Sequence, residues 1–303
     1  MLEAGFIIFR FAHYLAVSAL FGIALFPLYG YPSRAIELPA RLTSWRDRAL
    51  LGSAIGCLLT GFLWLAFTTA NMSGELRAAI DPAALLTVTR DTGFGHLWIL
   101  RLALSVAVVA VAAVGIIRAK VHRNDTALLL IAGALLATLA GTGHTQTDEG
   151  VRAVVHIVVD ASHLLAAGAW IGGLIVLSFL LSNSAPGSDV VLQRFSGMGY
   201  IAVAVLLASG AVNSWFLVGS VSRLTTTMYG QLLLVKICLF GGMLVLAATN
   251  RFLLVPALIN GNHNSSLSLV QLRRHVLGEQ ILGGLVLLIV SVLGTIEPAM
   301  SQS

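Results

Sequence analysis

Apolar residues in this chain run in long unbroken stretches. They show neither the alternation of a half-buried strand nor the one-sided stripe of a soluble helix. Eight stretches reach or approach the roughly 20 residues that carry an α-helix across a hydrocarbon core about 30 Å thick: residues 6–28, 49–70, 96–117, 127–143, 154–181, 198–218, 231–252 and 276–296. The fourth is short and the fifth long, which predicts an upright helix beside a tilted or protruding one. Helix breakers mark the intervening loops: Pro27 and Pro32, Asp81-Pro82, Pro186-Gly187 and Asn260-Gly261-Asn262. The ten-residue alternating segments of a β-barrel are missing, and no internal repeat is evident. Hydrocarbon admits only helices or closed barrels, so the pattern predicts an all-α polytopic helix bundle forming one integral membrane domain over residues 1–303. The opening Met-Leu-Glu-Ala-Gly-Phe carries an acid and no basic cluster, and its apolar run exceeds a signal-peptide core. It is therefore read as a retained first helix.

Composition agrees. Hydrophobic residues make up 57% of the chain and charged residues 10%, against about a quarter charged in soluble proteins. So few charges cannot coat a globule of this size, and lipid must be the main solvent. The net charge of +5 invites a nucleic-acid reading, but the basic residues sit in short loops and form no patch interleaved with aromatics. Their distribution instead reports topology. Loops after the first, third, fifth and seventh stretches hold eleven Lys or Arg, and those after the second, fourth and sixth hold four, Arg77, Arg90, Arg152 and Arg223. The positive-inside rule then places both termini outside, in the periplasm if the membrane is a bacterial inner membrane. Cys57 and Cys238 both fall in apolar runs, so no disulfide framework is expected.

This topology sorts the eight histidines. His122, His263 and His275 fall on the inner side; His13, His96, His144, His156 and His163 fall at or within the outer half. Ionisable groups at membrane depth are costly and mark function by default. The fifth stretch is densest: His156, Asp160 and His163 lie within about 40° and about 20° of one another around a helix, so they share a face. The two imidazoles are roughly 10 Å apart along the axis, too far to chelate one ion alone. They suit successive stations, or sites completed by other helices, with Asp160 ligating or fixing a tautomer. The bland alternative is a polar network that glues helices together. His13 in the first stretch lies roughly 11 Å deep and His163 roughly 14 Å, a similarity that allows one shared site. Arg10 is expected to offset a carboxylate or touch headgroups. His96 opens the third stretch ahead of Arg101, and His144 closes the fourth; both are interfacial positions suited to delivering an ion. Asn213 and Lys236 are further polar groups at depth, and Glu279 is expected to pair with Arg274 near the inner end of the last helix. Met72, Met228 and Met300 map outside, scattered and without a repeated motif. No Walker A loop, dinucleotide fingerprint, HExxH, CxxC or catalytic carboxylate pair occurs, which argues against a nucleotide-driven pump and against an enzyme.

The stretch from His156 through Gly-Ala-Trp170-Ile-Gly172-Gly173 resembles the copper resistance D (CopD) family of bacterial inner-membrane proteins. So do Arg194-Phe195-Ser196, Ser209-Gly210 before Asn213, Tyr229-Gly230 through Lys236, Asn250-Arg251 with Pro256, and Arg274, Glu279 and Gly294. The opening Arg10-Phe-Ala-His13-Tyr14 and Phe21-Gly22 match as well. The resemblance implies an eight-helix copper homeostasis protein that moves copper across the inner membrane, often beside a separate periplasmic copper-binding protein of the CopC type. It supplies no ligand set. On spacing alone the metal candidates are His13, His156, Asp160 and His163, with His96 and His144 on the way in, and copper is the expected metal. Two other readings stay open: a b-type cytochrome with haem held between histidines of different helices, such as His13 and His163, and a structural or assembly subunit without metal.

Overall fold

A computed structural model describes residues 2–31, 39–117, 125–142, 150–183, 188–259 and 265–300. They form eight long helices: α1 (Leu2–Gly30), α2 (Ala40–Ser73), α3 (Gly93–Ile117), α4 (Asp125–Ala137), α5 (Gly150–Ser182), α6 (Ser188–Val218), α7 (Met228–Thr249) and α8 (Ser265–Leu293). α4 is extended by a 3-10 turn, Thr138–Thr142, and α7 runs on through a π-turn, Asn250–Leu254, into a short helix, Val255–Ile259. All eight are long and apolar enough to cross a membrane, as the hydrophobic pattern predicts. An even number of crossings brings both chain ends to one face, called here the terminal face. The short helices Leu76–Ala79, Pro82–Asp91 and Val221–Thr226 lie in connections on that face.

The helices are longer than the apolar runs, mostly at the face opposite the termini. α2 starts at Ala40, not 49, and α8 at Ser265, not 276. Hydropathy detects only the lipid-embedded part, whereas polar turns continue the helix because that keeps their backbone groups paired. The basic residues there cap neighbouring helices. Arg194 of α6 donates to the Gly30 carbonyl (3.2 Å) and Arg273 of α8 to the Leu181 carbonyl (2.6 Å), closing the C-terminal ends of α1 and α5. Arg46, expected in a loop, is buried in α2 and paired with Asp125 at 3.1 Å. Pro27, expected to break the chain, sits inside the last turn of α1, where few backbone bonds remain to be lost. Asp81-Pro82 behaves as its sequence predicts: Asp81 caps the helix Pro82–Asp91 by accepting from the Ala83 amide at 3.1 Å. The Pro186-Gly187 and Asn260-Gly261-Asn262 breakers lie outside the described residues.

α1 and α5 are the central pair. Each has 61% of its span buried, against 11% for the span built on α7. They cross where Gly22 meets Gly168 and Gly172, so closely that a Cβ on Gly22 would come within 2.6 Å of the Gly172 Cα. Small residues at a crossing let two backbones touch, the commonest way that helices gain packing in lipid. One apolar cluster joins α1–α5, a second joins α5–α8, and α5 serves both. α6 and α7 scarcely touch each other, which leaves a cleft between them backed by α5 and α8. Outward-facing side chains such as Phe62, Val106, Ile201 and Val245 are apolar and exposed, as a lipid-facing surface requires.

Gly172→Ala is expected to lower stability by about 1–3 kcal/mol, the cost of overpacking a contact whose partner is backbone and cannot yield. Gly241→Ala, where the added methyl meets open space, is the control. Thermal unfolding in detergent reads both, and equal melting temperatures would refute the tight crossing.

Candidate functional site

The polar face of α5 opens on a chamber of about 160 Å³ bounded by α1, α6, α7 and α8. His156, Asp160 and His163 all line it, so the shared face read from their spacing is present. His156 is buried and stacks on Phe216 of α6, ring centres 4.6 Å apart. Asp160 Oδ1 accepts from Asn213 Nδ2 at 3.0 Å. His163 Nδ1 lies 2.9 Å from Ser209 Oγ. Ser209 spends its one proton on the Val205 carbonyl, so the imidazole must donate through Nδ1, and its Nε2 lone pair is left available. That is the tautomer a metal ligand needs. Ser209 carries no sign of this role in the sequence, since a serine in an apolar helix usually bonds its own backbone, as this one also does.

α1 contributes to the chamber, but not through His13. Arg10 and Tyr14 line it, together with Tyr229 and Lys236 of α7. Arg10 donates to the Gly294 carbonyl at 2.7 Å and lies over the Trp64 ring at 5.2 Å. The expected carboxylate is not there: among the described residues neither Arg10 nor Lys236 has one within 4 Å. A chamber with two cations and one acid therefore balances its charge mainly with neutral dipoles.

His13 sits on the other side of α1, fully buried among α2, α3 and α4. Its Nδ1 meets Thr60 Oγ1 at 2.9 Å, and Thr60 donates onward to the Gly56 carbonyl. Its Nε2 accepts from Arg101, which also donates to the Leu135 carbonyl and to Thr138 Oγ1. Trp64 and Trp98 wall the ring at 5.6 and 6.1 Å. Both ring nitrogens are thus engaged, and His13 ties four helices together. Depth along the helix matched that of His163; azimuth did not, and depth alone could not show it. His96 is exposed at the start of α3, donating to the Arg90 carbonyl at 2.7 Å. His144 lies outside the described residues. Among the described residues, no three His, Cys, Asp or Glu side chains converge closely enough to hold a metal ion together.

A second polar cluster lies deeper along α5. Trp170 donates to Glu279 Oε2 (3.2 Å), and Asn250, at the start of the π-turn, donates to Oε1 (2.8 Å). His275 holds the other end of the Asn250 amide at 2.9 Å. The pairing of Glu279 with Arg274 expected from sequence does not form: Glu279 is at the midpoint of α8 and turned inward, while Arg274 is exposed. Two larger cavities follow the chamber of His163 in turn. One of about 340 Å³ extends from His163 and Lys236 to Trp170; one of about 280 Å³ extends from Trp170 to Glu279 and Arg251.

This bundle of eight membrane-length apolar helices, with ionisable side chains lining its chambers, defines a polytopic helical membrane protein. Residues 1–154 match the family described as Copper resistance protein D-like, N-terminal domain, and residues 189–293 match Copper resistance protein D. The chain is 34% identical to Copper resistance protein D of Pseudomonas syringae pv. tomato, over 96% of each protein, and 31% identical to Inner membrane protein YebZ of Escherichia coli, over 98% of this chain and 100% of that one. Against Copper transport protein CutJ of Bacillus subtilis the identity is 35%, covering 78% of this chain and 44% of the relative. No solved structure matches significantly. The chain belongs to the copper resistance protein D family and is a multi-pass protein of the bacterial inner (plasma) membrane.

The network around His13 should behave as one unit. His13→Ala leaves a buried guanidinium donor unpaired, at an expected cost of about 1–3 kcal/mol. Adding Arg101→Leu to His13→Ala should then cost less than the sum of the two single losses. Strict additivity in thermal unfolding would show that the contact carries no energy.

Proposed function

We propose that the protein handles copper as cargo, receiving it from the periplasm in the chamber of His156, Asp160 and His163 and passing it inward along α5. The terminal face is taken as periplasmic on the bias of eleven basic residues to four between the two sets of loops. The observation that carries the reading is the fixed tautomer of His163, which leaves a lone pair on Nε2 at the junction of two chambers. Family membership and the names of the relatives, copper resistance and copper transport, support copper as the metal. Those names denote no reaction, and the residues are assigned no catalytic role.

His156 and His163, two turns apart, act as successive stations rather than as one cage. Arg10 and Lys236 keep the affinity of each low, because a cation close by disfavours a second one. A path must bind its ion strongly enough to admit it and weakly enough to release it. Exposed His96 offers a first contact at the surface, and a separate periplasmic copper-binding protein of the CopC type is the proposed donor. His13, with both nitrogens engaged, supports the scaffold.

Copper titration of purified protein tests this. His163→Ala and His156→Ala should each weaken binding about tenfold or more. Unchanged affinity in both variants would overturn the site.

One observation favours a second reading, a b-type haem. His163 and Lys236 both line the 340 Å³ apolar cavity, Arg10 lines the adjoining chamber, and among the described residues neither cation has a carboxylate within 4 Å where a propionate would sit. His163 would then be the one histidine ligand, since His13 faces elsewhere. Absorbance of the purified protein separates the readings: a Soret band lost in His163→Ala selects haem, and colourless protein that binds copper selects the cargo site.

A further inference from the structure

The outer chamber leaves the deeper cluster around Glu279 without a role. Glu279 is 2% exposed and lies three residues into the apolar run of α8, on its inward face, where a buried carboxylate is costly. Its two oxygens accept from Trp170 Nε1 and Asn250 Nδ2, both neutral donors, and among the described residues no cation lies within 4 Å. Each oxygen keeps a second lone pair, so a proton can be added without breaking the site.

Its surroundings point the same way. Asn250 begins a π-turn, a local widening of the helix that recurs at functional positions. His275, on the same helix as Glu279 and one turn nearer the face opposite the termini, fixes the Asn250 amide so that its NH₂ faces the carboxylate. A largely apolar cavity of about 280 Å³ lies beside Glu279. The other ionisable groups facing it are Arg251 of the π-turn and Tyr200 of α6; α5 presents only Trp170 and Leu177 there. Trp170 lines both this cavity and the 340 Å³ cavity above, on the face of α5 that carries His163 two turns away. It therefore stands between the copper chamber and the inner half.

We infer that Glu279 is a proton-binding site, loaded from the face opposite the termini, whose protonation releases Trp170 and couples proton movement to copper passage. The inference rests on the transport reading for its second half. The carboxylate takes up one proton and becomes a neutral acid; the Trp170 bond, charge-assisted while Glu279 is ionised, weakens to an ordinary one. Trp170 is then free to swing and join the two cavities. Loss of the proton restores the bond and parts them again.

Two measurements on the full-length protein test this. Infrared titration of detergent-purified protein should show a protonated-carboxyl band that grows as pH falls and is missing in Glu279→Gln. A band unchanged in that variant, or no band at any pH, overturns the site. In proteoliposomes, an imposed pH gradient should alter copper flux in wild type. Glu279→Gln should remove that dependence while copper affinity in the outer chamber is kept, and Trp170→Phe should leave the infrared band but raise copper flux in the absence of a gradient. Gradient dependence retained in Glu279→Gln, or Trp170→Phe flux equal to wild type, overturns the coupling. Absence of copper flux in wild type overturns the transport reading and the coupling with it, while the infrared result still decides whether Glu279 binds a proton.

Discussion

The backbone contact of α1 with α5 sets what the rest of the bundle can do. Gly22 against Gly168 and Gly172 brings the two helices together with no side chain between them. At that distance each helix has a fixed azimuth. α1 turns His13 toward α2 and α3 and turns Arg10 and Tyr14 toward the chamber; α5 turns His156, Asp160 and His163 toward α6–α8. A bulkier residue at the crossing would separate the helices and open the chamber to lipid from the side. Glycine here serves proximity, since none of the three has the left-handed backbone that would otherwise call for it.

The division into two polar systems follows from this crossing. On one side of α1, His13, Arg101, Thr60 and Thr138 form a network in which each ring nitrogen and most donors have partners. Such a network rigidifies its helices and leaves no imidazole lone pair for a ligand, although Arg101 Nε and Trp64 Nε1 stay unpaired. On the other side, His163 has an unspent lone pair, and among the described residues neither Arg10 nor Lys236 has a carboxylate within 4 Å, although Asp160 lines the same chamber. Incomplete satisfaction is costly in lipid, and is the physical sign that separates a site from a strut. Both systems hold a histidine and an arginine on membrane helices, so residue type alone does not tell them apart.

That contrast explains how far the sequence could be read. Eight helices, their order and their apolar faces were legible because hydropathy measures the property that lipid selects. The shared face of His156, Asp160 and His163 was legible because helical periodicity is local. The relation between His13 and His163 was not, because similar depth says nothing about which way each helix is rotated. Glu279 and Arg274, five residues apart, looked like an interfacial pair; in the bundle Glu279 is buried on the inward face of α8 against Trp170 and Asn250, while Arg274 is exposed. The tertiary partners of Ser209, Thr60 and Thr138 were not legible, since each hydroxyl also bonds its own helix backbone and the partner adds no sequence signal.

Charge inside the bundle obeys one further rule. Arg10, Arg101, Lys236, Asp160 and Glu279 lie within the spans, yet among the described residues none forms an ion pair within 4 Å; carbonyls, hydroxyls, amides and indoles answer them instead. Arg46 and Asp125, near the face opposite the termini, do pair. A tight buried pair is electrostatically deep and exchanges partners slowly, whereas a charge held by dipoles can accept a passing ion or proton at small cost in reorganisation. Within the spans, charges are thus held by neutral dipoles, in the chambers and in the His13 scaffold alike, and the ion pair of Arg46 with Asp125 lies near the face opposite the termini.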